Sequence, residues 1–253
     1  MKRDDRRQAI MDLLIAQGAV DLEDLTQRFA VSKMTIHRDL DDLEAAGVMR
    51  KIRGGGTIET GMQFESDFRF RVQQDGAAKA LMAEAALKLI EPGMSVMIND
   101  GSMAAVLGAE LPAKRPLTVI TNNGAIIDTL KEQSGIKLIA TGGAYSAKYN
   151  GFFGMVTEGA LADLRADIAF ISAPAVTGTE VFHMDDSVVR AKRAMMAAGT
   201  KTCLLVHHSR FGRSALHKLA DLTEFDAIIT DAAPNPDSLD ALAAAGLTLT
   251  IAA

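Results

Sequence analysis

Residues 20–58 constrain the fold of this chain most. They read VDLEDLTQRF, then AVSKMTIHRDLDDLEAAGV, then MRKIRGGGTI. Leu22, Leu25 and Phe29 mark the apolar face of a short helix, which Asp21 can cap, with Asp24 three residues further on. Ala30 and Val31 make a turn. Ser32 can then cap a second helix by accepting from a free backbone N–H, and Ile36, Leu40 and Leu43 form its buried stripe. Gly47 is placed to end that helix, and residues 48–58 form a β-hairpin bent at Gly54-Gly55-Gly56. A further amphipathic helix over 6–16, with Ile10, Leu13 and Leu14 on one face, precedes the set. This order predicts a winged helix-turn-helix, which sets its second helix in a DNA major groove.

The charges sharpen that expectation by position rather than by sum. The chain carries a net charge of −5, and residues 1–60 hold ten Lys/Arg against eleven Asp/Glu. Lys2, Arg3, Arg6, Arg7, Lys33, Arg38, Arg50, Lys51 and Arg53 fall on the first helix, the leading end of the recognition helix and the wing. Asp39, Asp41, Asp42 and Glu44 fall in the far half of the recognition helix, so a continuous basic face is expected. Ser32, Lys33, Thr35, His37 and Arg38 are the candidate groove contacts, and Arg50, Lys51 and Arg53 the candidate phosphate contacts. Asp39 is expected to partner a nearby arginine rather than to read a base.

Beyond residue 60 the pattern changes. Residues 61–75 carry no clear period and read as a linker, and a helix is expected over 76–90. Apolar runs follow at 95–98, 117–120, 137–140, 168–171, 202–206, 227–229 and 247–251, most of them separated by helix-period segments such as 103–111, 125–133 and 188–198. That alternation predicts a mainly parallel sheet with helices on both faces. The expected division is a DNA-binding domain over 1–60, a linker over 61–75 and an α/β effector domain over 76–253.

The runs end in small polar residues: Asn99-Asp100-Gly101-Ser102, Thr121-Asn122-Asn123, Thr141-Gly142-Gly143 and His207-His208-Ser209-Arg210. Ligands bind outside the carboxyl ends of the strands in open parallel sheets, and backbone N–H groups at helix N-termini favour anions. Asn99, Asp100, Gly101, Ser102, Thr121, Asn122, Gly142, Gly143, Lys192, His207 and Arg210 are the candidate contacts of a phosphorylated ligand. His207, His208 and His217 follow no zinc-ligand spacing, so neither metal nor cofactor is expected. Cys203 lies in the apolar run TCLLV and is expected to be buried and inert. No apolar run reaches membrane-spanning length, and the start MKRDDRRQ is too charged for a signal peptide, so a cytoplasmic protein is expected.

The chain resembles the DeoR family of bacterial transcription regulators. SKMTIHRDLDDLEAAGVMRKIRGGG resembles the recognition helix and wing, and NDGSM, TNN, TGG, AKRAMM and HSRFGR follow in the family's order. The resemblance implies an effector domain similar in fold to ribose-5-phosphate isomerase. It implies a repressor of a carbohydrate catabolism operon that binds double-stranded operator DNA and a sugar phosphate, acts as a homo-oligomer (dimer or tetramer) and has no catalytic residues. An isomerase-like enzyme with an accessory DNA-binding domain is the alternative, with Asp100, Asp185, Asp186 and Lys192 as its acid–base groups. The chain departs from the family at Asn99 and His207, where Asp is usual, at Met103, where Ser or Thr is usual, at Arg210, where Lys is usual, and at His37, where Arg is usual. Loss of two carboxylates, with an imidazole able to ionise near neutrality, predicts a pocket that accepts a second negative group.

Overall fold

The computed structural model describes residues 1–45, 49–57 and 67–252. The chain forms two compact units, Met1–Phe70 and Arg71–Ala253.

In the first unit, α1 (Arg3–Gln17), β1 (Ala19–Asp21), α2 (Leu22–Phe29), α3 (Lys33–Ala45), β2 (Arg50–Ile52) and β3 (Gly55–Thr57) follow in order. The strands form an antiparallel sheet in the order β1-β3-β2. Ile10, Leu14, Leu25, Ile36, Leu40 and Leu43 make the core, as the helical spacing predicts. Asp21 caps α2 by accepting from the amides of Glu23 and Asp24 at 2.7 and 3.2 Å. Ala30 ends α2 in the left-handed region at φ 51°. Each wing glycine has its own cause. Gly54 turns at φ +88°, a Cβ on Gly55 would stand 2.0 Å from the Val20 carbonyl oxygen, and one on Gly56 would strike the Met49 methyl at 2.2 Å. Gly47, Val48 and Ile58, the expected helix stop and wing ends, lie outside the described residues.

α4 (Phe68–Gln73), which falls inside the stretch read as a linker, runs across the division at residues 70 and 71, and α5 (Gly76–Leu87) follows in the second unit. Then come β4 (Ser95–Ile98), α6 (Ser102–Glu110), β5 (Leu117–Thr121), α7 (Gly124–Leu130), β6 (Ile136–Ala140), β7 (Ala144–Ser146), β8 (Gly151–Phe153) and α8 (Met155–Ala162). The chain continues through β9 (Ala166–Ser172), β10 (Ala175–Thr177), β11 (Glu180–His183), α9 (Asp186–Ala198), β12 (Gly199–Leu205), β13 (His217–Asp221), β14 (Ala227–Thr230), α10 (Pro236–Ala244) and β15 (Thr250–Ile251).

Seven of these strands form one parallel sheet in the order β15-β14-β12-β9-β4-β5-β6. They are the seven apolar runs of the sequence. Side chains alternate between two cores: Ile168 and Phe170 of β9 enter the one shared with α5, α6 and α7, and Ala169 and Ile171 the one shared with α8, α9 and α10. The strand order reverses between β4 and β9, the switch point at which a parallel sheet opens a crevice at its carboxyl edge. Two smaller features have no counterpart in the sequence reading, the hairpin β7–β8 and the antiparallel sheet β10-β11-β13. Cys203 is fully buried and its thiol is pushed up to about 12, first by burial.

Candidate DNA interface and effector site

Ser32 begins α3 as its capping residue, and its Oγ accepts from the Thr35 amide at 3.2 Å. Its hydroxyl also lies 2.9 Å from the Thr35 hydroxyl, so Thr35 is partly engaged in the cap. Lys33, Met34 and Arg38 are exposed on the leading half of α3, and His37 is half-buried. Arg50 and Arg53 are exposed on the wing, while Lys51 is half-buried.

The continuous basic face is not what forms. Arg6 Nε meets Asp39 Oδ2 at 2.5 Å and its Nη2 donates to Oδ1 at 3.2 Å, with both residues buried. Arg7 lies 3.5 Å from Asp39 and pairs with Asp42, which also pairs with Arg3 at 2.7 Å. Asp39 and Asp42 of α3 face α1, so three of the expected basic side chains fasten helix to helix. Asp39 is the structural partner that the sequence predicts. Lys33 pairs with Glu23, and Lys51 with Asp41. Among the described residues no ion pair engages Arg38 or Arg53.

At the carboxyl edge of the large sheet, Lys192 of α9 is 2% exposed and donates from Nζ to the Ser172 carbonyl at 2.7 Å. The same Nζ stands 3.7 Å from Asp100 Oδ1. Burial lowers the Lys192 pKa, and the Asp100 charge opposes that shift. Asp100 Oδ2, Asn122 Oδ1 and Thr141 Oγ1 are buried and find no hydrogen-bond partner among the described residues. They follow β4, β5 and β6, three neighbouring strands. Buried polar atoms left unmatched cost stability, so these three donors and acceptors mark one edge as built for something polar.

Several predicted contacts have structural roles instead. Asn99 is fully engaged: Oδ1 accepts from the Ser172 amide at 3.0 Å and Nδ2 donates to the Asp100 carbonyl at 2.5 Å. It ties β4 to β9 across the switch point. The Thr121 hydroxyl donates to the Ile98 carbonyl at 2.6 Å and accepts from the Asn123 amide at 3.0 Å. A Cβ on Gly143 would stand 2.3 Å from Thr157 Oγ1, so that glycine answers to packing. The expectation of anion-binding amides after three strands narrows to one. Asn123 caps α7 through the amides of Ala125 and Ile126, and after β6 the chain enters the hairpin β7–β8 rather than a helix. The N-terminus of α6, at Gly101-Ser102, has no side-chain cap.

His207 departs from the sequence reading in its charge. Burial, the largest influence, holds its pKa below the ordinary value, while Asp231 and Asp75 pull it up. The expected imidazolium near neutrality therefore does not follow. Cations come instead from residues the sequence reading passed over. Arg71 Nη1 lies 3.4 Å from where a Gly101 Cβ would stand. The charges of Lys192, Arg71 and Lys148 reach His183, which burial above all, then these cations, pushes down to about 2. Lys79, buried, is lowered to about 8 by burial, with Arg71 and Arg210 adding to the shift and Asp75 opposing it. No local period in FESDFRFRVQQD marks Arg71. Asp231 and Thr141 had a usable signal, since each directly follows a strand run.

Residues 6–60 match the DeoR-like helix-turn-helix domain and residues 74–232 the DeoR C terminal sensor domain. The HTH-type transcriptional regulator YgbI of Escherichia coli K12 is 30% identical over 98% of this chain and 97% of its own length. The glycerol-3-phosphate regulon repressor of the same organism is 27% identical, covering 92% of this chain and 93% of the relative. The L-fucose operon activator of Haemophilus influenzae is 31% identical, covering 92% and 94%. Among solved structures, ribose 5-phosphate isomerase A from Methanocaldococcus jannaschii aligns with a TM-score of 0.40 and 19% identity over 55% of each chain. No helix among the described residues is long and apolar enough to cross a membrane. A helix-turn-helix unit followed by a sensor unit, matched over nearly the whole length by regulators of the same build, sets the enzyme alternative aside: this chain belongs to the DeoR family of transcription regulators.

Proposed function

We propose that this protein is a cytoplasmic repressor of a carbohydrate catabolism operon, released from or held on its operator by a phosphorylated sugar or sugar derivative. The observation that carries the effector reading is the trio of buried, unmatched atoms on Asp100, Asn122 and Thr141 beside Lys192. Sugar hydroxyls both donate and accept, so they suit two acceptors and a hydroxyl at one edge. The phosphate falls to the uncapped start of α6 at Gly101 and Ser102, with Lys192 and Arg210 as cations and Gly142 lining the approach. Relatives named for glycerol-3-phosphate and L-fucose support ligands of this kind.

On the DNA side, Ser32, Lys33, Thr35, His37 and Arg38 face the major groove, and Arg50, Lys51 and Arg53 lie on phosphates. Helix-turn-helix readers occupy paired half-sites, so a homodimer or tetramer binds a pseudo-palindromic operator. An activator role is the second reading, since a relative at 31% identity is named as an activator. Fluorescence anisotropy on DNA from upstream of the protein's own transcription unit, with a panel of sugar phosphates, tests the whole proposal. The expected result is salt-sensitive binding shifted by one class of sugar phosphate. Binding that no sugar phosphate alters contradicts the effector reading, and a reporter that falls when the protein is deleted replaces repressor by activator.

A further inference from the structure

At the other end of the same sheet edge, two side chains that follow β12 meet one that follows β14. His207 Nε2 lies 3.2 Å from Asp231 Oδ2, and His208 Nδ1 lies 2.7 Å from that same oxygen. All three atoms lie within 4.8 Å of one another. We propose that His207, His208 and Asp231 form a binding site for a divalent transition metal, zinc being the best match. This departs from the expectation that no metal binds, and it reassigns His207 from the candidate effector contacts to a metal ligand.

The spacing fits. Bonds of about 2.0–2.1 Å in a tetrahedral zinc centre set neighbouring ligand atoms roughly 3.3 Å apart. The observed separations, 2.7 and 3.2 Å to Asp231 and all within 4.8 Å, are of that order. Two imidazoles and one carboxylate are a donor set for zinc and its transition-metal neighbours rather than for magnesium or calcium, which prefer oxygen alone.

Outer contacts also match. Metal-bound histidines are oriented through the ring nitrogen that does not bind. The Ser209 hydroxyl sits 2.8 Å from His207 Nδ1, the nitrogen facing away from Asp231. The His208 amide donates to Asp231 Oδ1 at 2.7 Å, which fixes the carboxylate and leaves Oδ2 for the metal. The ligands are rooted at the ends of adjacent parallel strands, so the backbone holding them is firm. Three protein donors leave a fourth position for water or a ligand oxygen. Asp75 Oδ2, 3.9 Å from His207 Nε2, is near enough to compete for it. The sequence hid this site because its third ligand is 23 residues beyond His208 in a different strand end.

The competing account is a hydrogen-bonded bracket, with both rings donating to Asp231 and no metal. Untagged, metal-stripped full-length protein titrated with zinc chloride against a chromophoric chelator decides between them. The expected result is one equivalent of zinc per chain, with affinity falling at least about tenfold in both His208→Ala and Asp231→Asn and unchanged in His217→Ala. Cobalt(II) added in place of zinc should give visible absorption bands that His208→Ala abolishes. Should Asp231→Asn fail to fold, His208→Ala alone decides, since that side chain is 41% exposed and its removal is expected to leave the circular dichroism spectrum of the parent. Absence of a saturable equivalent, wild-type affinity in His208→Ala, or dependence on His217 overturns the proposal.

Discussion

Around α1 and α3, Arg3, Arg6 and Arg7 meet Asp39 and Asp42, and Lys33 and Lys51 meet Glu23 and Asp41. At the carboxyl edge of the large sheet, by contrast, Asp100, Asn122 and Thr141 keep buried atoms unmatched. The first unit arrives at its partner with much of its charge already neutralised within the chain. The second holds buried polar atoms that no group among the described residues satisfies. A partner of the first must compete with existing ion pairs, or use cations that have none among the described residues, such as Arg38 and Arg53. A partner of the second can hydrogen-bond to atoms that no other side chain in the described residues engages. That contrast suits a reader that must slide along many DNA sequences and a sensor that must recognise one chemical class.

Breaking the fastening of the first unit should have the largest effect. Asp39→Ala strands the buried guanidinium of Arg6 and is expected to destabilise the unit by about 3–5 kcal/mol. Thermal unfolding followed by circular dichroism measures it. A change comparable to an exposed ion pair would mean that Asp39 does not hold α3 to α1.

On the sensor side, Lys192→Met is expected to weaken binding of the phosphorylated effector by about 100-fold, the loss that follows removal of one member of a buried charged pair. Its DNA affinity without effector should match the parent's. Equal loss of both would make Lys192 a folding residue alone.

His183 supplies a smaller effect that depends on pH. The folded protein holds it neutral down to about 2, whereas its ordinary value is 6.5. Between those values the unfolded chain binds a proton that the folded chain refuses. The stabilisation is therefore complete above about 6.5 and is lost as pH falls, at a limiting slope of roughly 1.4 kcal/mol per pH unit. His183→Gln should flatten that slope in urea melts taken between pH 4 and 6.5. An unchanged slope would place the buried, neutral imidazole in doubt.

Smallest is Arg53→Ala on the wing. It should weaken binding to operator and random DNA alike, and reduce the slope of log affinity against log salt by about one. His37→Ala should instead alter operator preference. Wild-type behaviour of both would undo the docking of α3 and the wing.

The two units also differed in how far they could be read from sequence. Ser32, the Ile36–Leu40–Leu43 stripe and the glycine bend at Gly54 are local signals, and the helix and hairpin they foretell are there. The seven apolar runs of the second unit became the seven strands, because a strand covered on both faces must be apolar throughout. What escaped were matters of partnership. Nothing local tells that Arg6 faces Asp39 rather than DNA, or that Asn99 uses its amide to join β4 to β9. Asn123 was read as a strand terminator, yet it closes the α7 N-terminus to anions. Arg71 comes from outside the strand runs, and only the folded arrangement brings it beside Gly101.

The central proposal is a sheet edge that takes a phosphorylated sugar. Isothermal titration of the full-length protein with matched pairs of sugars and their phosphates tests this most directly. The prediction is that one phosphate binds at least about 100-fold more tightly than its parent sugar, and that Lys192→Met erases most of that difference. Tight binding of an unphosphorylated sugar, with no gain from its phosphate, would contradict it.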